Sequence, residues 1–208
     1  MKTTRNFISL FLTACLLIIA PRVALSLPDE RAAERMNLGI KLLHEGKIKE
    51  GIDKLEEARS LDGANPYITL YLARGYSWDG RYDKAKQLYR NIIDSQSKKD
   101  DVYWRARFGI AQVLSWEKQY KNAIDQFALI EKEHKSMDQG YRTDLYLALG
   151  DVHSWEQDYR TAMDYFKKIL SFSPNNTEAL NRAAKVSLWN RDYKGSREYT
   201  EKTLTLDK

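Results

Sequence analysis

The stretch that decides the fold is Leu149-Gly150-Asp151-Val152-His153-Ser154-Trp155, followed by Tyr159, Ala162 and Phe166 and closed by Pro174-Asn175-Asn176. Its landmarks recur along the chain. Trp78 is followed at offsets of four, seven and eleven by Tyr82, Ala85 and Tyr89. Trp116 is followed at the same offsets by Tyr120, Ala123 and Phe127. Trp189 is followed by Tyr193, Ser196 and Thr200, a copy that has lost its apolar members. A small residue (Ala73, Ala111, Gly150 or Ala184) precedes each tryptophan by five. Four of the five tryptophans therefore hold one phase of a repeat, spaced by 38, 39 and 34 residues. Gly46 stands 34 residues before Gly80 and carries the array back into 34–61, with His44 in the tryptophan position and Gly51 in the alanine position.

Within a unit the apolar positions step by three and four, as in Phe108, Ala111, Leu114 and in Ala123, Phe127, Ile130. That step gives one apolar face per helix. The triplets after the tryptophans, such as Asp79-Gly80-Arg81 and Glu117-Lys118-Gln119, are polar and suit a turn between two helices. A single hairpin cannot bury its own apolar face, so stacked neighbours must supply the core. Ser95 to Asp101 and Lys135 to Gly140 hold the residues in excess of 34 and read as extended links between units.

A 34-residue unit of two amphipathic helices resembles the tetratricopeptide repeat, over residues 32–208. The resemblance implies an all-α solenoid of about five helical hairpins, wound as a right-handed superhelix with a concave groove lined by the first helices. The units read as 32–65, 66–101, 102–141, 142–176 and 177–208. The element Ser-Trp-x-x-x-Tyr-x-x-Ala is further similar to exported bacterial repeats that precede a β-barrel. It also resembles the periplasmic repeats of exopolysaccharide exporters such as the cellulose synthase C subunit. By that geometry Arg74, Gln112, Asp151 and Lys185 share one groove-facing phase with Trp78, Trp116, Trp155 and Trp189. Tyr67, Arg105, Asp144 and Glu178 fall a turn or two earlier. The charges are mixed, unlike the basic clamp that some family members use for carboxylate tails.

Two readings of the tryptophans follow. In the first, each indole covers its turn and packs against the tyrosine four residues on, adding about 0.5–1.5 kcal/mol beyond area burial. In the second, the indoles form an aromatic ladder that stacks on sugar rings or grips a peptide.

The chain opens as a targeting signal. Lys2 and Arg5 precede the apolar run Phe7 to Ala20, Pro21 breaks it, and Ala24-Leu25-Ser26 offers a cleavage site after Ser26. That gives a leader over 1–26 and the array over 27–208. Leu12-Thr13-Ala14-Cys15 resembles a lipobox and offers lipidation at Cys15 as the alternative. The formal charge of +5 comes mostly from this leader: 34 basic residues less Lys2, Arg5 and Arg22 leave 31 against 29 acidic. A balance near +2 gives no footprint for nucleic acid. Membrane association is expected only through the leader or through Cys15.

His44, His134 and His153 are far apart, and no metal-ligand spacing, phosphate loop or nucleophile elbow appears. No cofactor and no enzymatic activity are expected. Asn175-Asn176-Thr177 reads as an inter-repeat turn. The fifth unit lacks a separate capping element, so either its last helix is already polar enough, through Arg197, Glu198, Glu201 and Lys202, or a partner, a second copy or a following barrel domain would cover its outer face. The expectation is a periplasmic or secreted scaffold that binds a protein partner in outer-membrane assembly or polysaccharide export. A carbohydrate- or small-ligand-binding module using the tryptophan ladder is the alternative.

Overall fold

The computed structural model describes residues 30–206. The leader with its Ser26 and Cys15 readings lies outside them. Among the described residues there are ten helices and no strand: α1 (Glu30–His44), α2 (Ile48–Leu61), α3 (Pro66–Trp78), α4 (Tyr82–Ser95), α5 (Asp101–Trp116), α6 (Tyr120–Glu133), α7 (Gln139–Trp155), α8 (Tyr159–Phe172), α9 (Thr177–Trp189) and α10 (Tyr193–Leu206). They pair as five hairpins. α5 and α7 begin at Asp101 and Gln139, ahead of the unit starts read at 102 and 142.

Each helix packs on its neighbours in the chain, and each odd-numbered helix also touches the next odd-numbered one. The first helices of the units therefore form one continuous row, and the second helices flank it. The apolar core runs along this stack as a series of clusters, linked by the half-buried Ile93 and Tyr146. One cluster joins Leu43, Leu55, Ala73 and Tyr89 to Val113, a second joins Phe127 to Leu149, and a third joins Phe166 to Val186. This is an α-solenoid in which each unit completes its core on its neighbours.

The turn inside each hairpin has one backbone solution, used five times. After Trp78 the Gly80 N–H donates to the Ser77 carbonyl and the Arg81 N–H to the Tyr76 carbonyl. The same two bonds follow His44, Trp116, Trp155 and Trp189. These are Schellman ends, which satisfy the last carbonyls of the helix and require a left-handed residue. Gly46 and Gly80 supply it at φ of 78° and 76°, but Lys118, Gln157 and Arg191 adopt φ of 62°, 64° and 62° with a side chain attached. A left-handed residue with a Cβ costs about 1–2 kcal/mol, partly offset by the smaller entropy of its unfolded chain. Glycine at Lys118, Gln157 or Arg191 should therefore stabilise by about 0.5–1 kcal/mol each, read as a shift of the urea midpoint.

Helix starts are fixed as locally. Asn65, Asp100, Asp138 and Asn176 cap α3, α5, α7 and α9, each side-chain oxygen accepting from a first-turn N–H at 2.7–3.0 Å. Asn176 is thus the cap of α9, which accounts for the Pro174-Asn175-Asn176 link.

Candidate functional site

The row of first helices forms one wall of a groove enclosing about 390 Å³, bordered by residues of α1, α3, α5, α7 and α9. Arg74, Trp78, Gln112, Trp116, Asp151 and Trp155 line it. Lys185 and Trp189 line a second stretch that shares Asp151 and Trp155 with the first. Arg105 lies in a recess of the same row, between α3, α5 and α7, with Arg74, Phe108, Tyr141 and Asp144. Of the twelve residues named on the groove-facing phase or a turn or two earlier, all but Tyr67 border one of these three stretches. Residues four apart in a helix share a face, which is why Arg74, Gln112, Asp151 and Lys185 stand one turn from the indoles.

The indoles do not pack on the tyrosine four residues on, as the first reading held. Trp116 packs on Tyr82, Trp155 on Tyr120 and Trp189 on Tyr159, with ring centroids 6.3, 5.8 and 6.3 Å apart. Each partner is the tyrosine of the preceding unit. Trp78 meets His44 in the same way, at 6.3 Å. The reason lies in the Schellman turn: it reverses the chain directly after the indole, so the next tyrosine opens a different helix and points toward the following unit. The aromatic pair is therefore a joint between repeats. It leaves 36–46% of each indole exposed, so the same side chain is both joint and groove wall.

The serine of the Ser-Trp element is buried and bonds back into its own helix: Ser77 to the Ala73 carbonyl, Ser115 to Gln112 and Ser154 to Asp151, at 2.6–2.8 Å. A small residue with a self-satisfied hydroxyl fits a crowded helix end without leaving a polar group unpaired.

Charge in the groove is held by one pair across units and by pairs within single helices. Arg182, which the repeat phase did not point to, donates from Nε to both Asp151 oxygens at 2.8 and 3.0 Å. Its Nη1 lies 2.7 Å from Glu178. Asp151 still sits above the usual carboxylate range, because burial outweighs the attraction of Arg182. Asp144 is raised by burial and by the nearby Glu178 carboxylate. Arg74 lies 5.9 Å from the Trp78 ring centre and 5.8 Å from that of Tyr71. Arg105 pairs with Asp101 at 2.7 Å. The groove thus offers aromatic surface beside both signs of charge, a lining suited to an extended polar chain with apolar side groups.

A second feature was not legible in the repeat phase. The two extended links lie together at Lys99, Asp100, His134 and Asp138. Under them His134 stacks on the out-of-phase Trp104 at 5.0 Å and 10°, while Tyr141 meets its edge and donates its hydroxyl to the Trp104 carbonyl at 2.9 Å. His134 is 8% exposed and its Nδ1 has no partner. Burial lowers its pKa. Below about 6.5, the ordinary histidine value, the unfolded chain binds a proton that folded His134 resists, so stability should fall as pH drops and level off once the folded group titrates. His134→Gln should remove this part of the slope in melting temperature measured from pH 7.5 to 5, taking the ordinary value as about 6.5.

His153 lies half-buried in the last turn of α7, stacked on Tyr165 at 5.8 Å with Nδ1 3.4 Å from Asp158. Among the described residues no group of three or more His, Cys, Asp or Glu is placed to hold a metal ion. No described helix is long and apolar enough to cross a membrane.

A family profile described as a tetratricopeptide repeat-like domain matches residues 34–172. The chain belongs to the tetratricopeptide repeat-like family. A search of curated proteins gave no match. Among solved structures, the tetratricopeptide chain is similar to PilF of Pseudomonas aeruginosa, with 20% identity and a TM-score of 0.68 over 86% of this chain and 77% of that one. It is similar to MamA of Desulfovibrio magneticus RS-1, with 16% identity and a TM-score of 0.63 over 87% and 97%. A Podospora anserina putative kinesin light chain with nearly identical tetratricopeptide-like repeats gives 12% identity and 0.68 over 88% and 97%. At these identities the likeness is one of fold, and the fold is of the scaffold type used in protein–protein interaction.

Proposed function

We propose that this tetratricopeptide protein is an exported bacterial scaffold whose groove holds an extended segment of another envelope protein. The observation that carries the reading is the row of four half-exposed indoles on one wall, flanked by Arg74, Asp144, Asp151 and Arg182. An extended peptide gains affinity from aromatic anchors and register from neighbouring charges. Export rests on the basic start and the apolar run Phe7 to Ala20. The setting, outer-membrane assembly or polysaccharide export, rests on the repeated Ser-Trp-x-x-x-Tyr-x-x-Ala element.

The test is capture of a partner from envelope extract beside a glycan array. A protein retained by the wild type and lost about tenfold by the Trp116→Ala/Trp155→Ala variant, with an empty array, supports the scaffold. A glycan hit without a retained protein overturns it in favour of a carbohydrate-binding ladder. That second reading draws on the same indole exposure. A tryptophan-to-phenylalanine series that lowers the melting temperature but leaves binding unchanged would end the groove role of the indoles in either reading. For localisation, a mature amino terminus at Leu27 supports Sec-type cleavage, while palmitate incorporation at Cys15 supports the lipoprotein form.

A further inference from the structure

Three of the four joints between units share an aromatic pair, and α10 carries its half of that pair exposed. The tyrosine opening a second helix packs on the tryptophan of the following unit. Eleven residues later, Ile93 and Leu170 pack into cores shared with the following unit, whereas in the third unit Glu131 holds this place and pairs with Lys168 of the following unit at 3.1 Å. α10 carries the same pair, Tyr193 and Leu204. In the described chain they stand 67% and 59% exposed, the two highest values of any large hydrophobic residue. Arg197 and Glu201 lie between them. At 3.6 residues per turn these four side chains fall within about 80° of one another around the helix.

The charges distinguish this face from an ordinary joint. The position of Arg197, eight after the tryptophan, is Ile124 in the third unit and Met163 in the fourth, both packed against the apolar core. In the second unit it is Lys86, whose Nζ reaches Glu117 of the next unit at 2.7 Å. A cation in this place therefore has a precedent for pairing with a carboxylate across an interface. Neither Arg197 nor Glu201 has an ion pair within the described chain, whereas Lys194 and Glu198 on the adjacent face pair with each other at 3.9 Å.

We propose that this face of α10 binds α10 of a second copy of the chain, antiparallel about a two-fold axis. Such an axis near Glu198 and Tyr199 brings Tyr193 of each copy onto Leu204 of the other and sets Arg197 opposite Glu201. Every contact is made twice, as an isologous interface requires. The stripe is complementary to itself in charge, since Arg197 of each copy faces Glu201 of the other. The proposal is independent of what the groove binds.

Sedimentation equilibrium of the purified protein tests it. A closed monomer–dimer equilibrium is expected. Arg197→Glu and Glu201→Arg should each weaken the dimer by about tenfold or more, since each sets like charges opposite one another twice. The double exchange Arg197→Glu/Glu201→Arg should restore it. Leu204→Ser should weaken it without moving the melting temperature of the monomer, because the side chain is exposed. A monomer at every concentration, an open-ended series of larger species, or a double exchange that fails to rescue the single ones would each overturn the proposal.

Discussion

Phe166→Ala is expected to lower the unfolding free energy by about 3–5 kcal/mol, the range for removing a buried aromatic ring. Phe166 lies at the centre of α8 with no exposure. Its cluster joins Leu147 of α7 to Ala179, Ala183 and Val186 of α9, so the ring belongs to the joint between the fourth and fifth units as well as to its own hairpin. Gly150 of α7 lies against it so closely that a Cβ there would come within 2.4 Å of the ring. No side chain on that facing wall can move in to fill the space. In a linear array a weakened joint is felt locally first. The urea transition should therefore broaden or split as the last hairpins melt ahead of the first three. Thr200 holds the same offset in α10 and is exposed. Thr200→Ala should stay within about 0.5 kcal/mol, and the contrast separates loss of a shared core from loss of a side chain as such.

That contrast also marks what the sequence could disclose. The eleven-residue offset from tryptophan to Tyr89, Phe127 and Phe166 is a helical period. A helical period states which face is buried, so the hairpins, their turns and the decay at Thr200 were all legible. The four-residue step from Arg74 to Trp78 or from Asp151 to Trp155 works for the same reason, because it stays within one helix. The partner of each indole was not legible. The nearest tyrosine in the chain lies across a reversal, and the true partner is set by how one unit rotates on the last. Arg182 escaped for the same cause, since its link to Asp151 joins α9 to α7. Trp104 and His134 escaped because they lie outside the repeat phase, under links whose length breaks the 34-residue period. Lys118, Gln157 and Arg191 look like ordinary turn residues, and only the backbone shows that each fills a place suited to glycine.

Gly109→Ala sets two physical terms against each other. Glycine inside a helix is worse than alanine by about 0.8–1.0 kcal/mol, so helix propensity alone predicts that the change stabilises α5. Packing predicts the opposite. A Cβ at position 109 would lie 2.3 Å from Cζ of Tyr89 and under 3 Å from two more ring carbons. Tyr89 is 3% exposed and has no open side to turn toward. Its hydroxyl lies 3.4 Å from Ser77 Oγ and donates to it, the serine proton being committed to the Ala73 carbonyl, which further fixes the ring. The clash must be relieved by moving α4 away from α5, and over-packing of this kind costs about 1–3 kcal/mol, so packing sets the sign. A net loss of up to about 2 kcal/mol is expected in urea unfolding, after the propensity gain is subtracted. The same substitution in a Tyr89→Ala background has room for its methyl group, and there Gly109→Ala should stabilise by the propensity term alone. A sign reversal between the two backgrounds would assign the glycine to the close approach of consecutive units. Equal effects in both would place the cost in the helix itself and remove the steric argument for this joint.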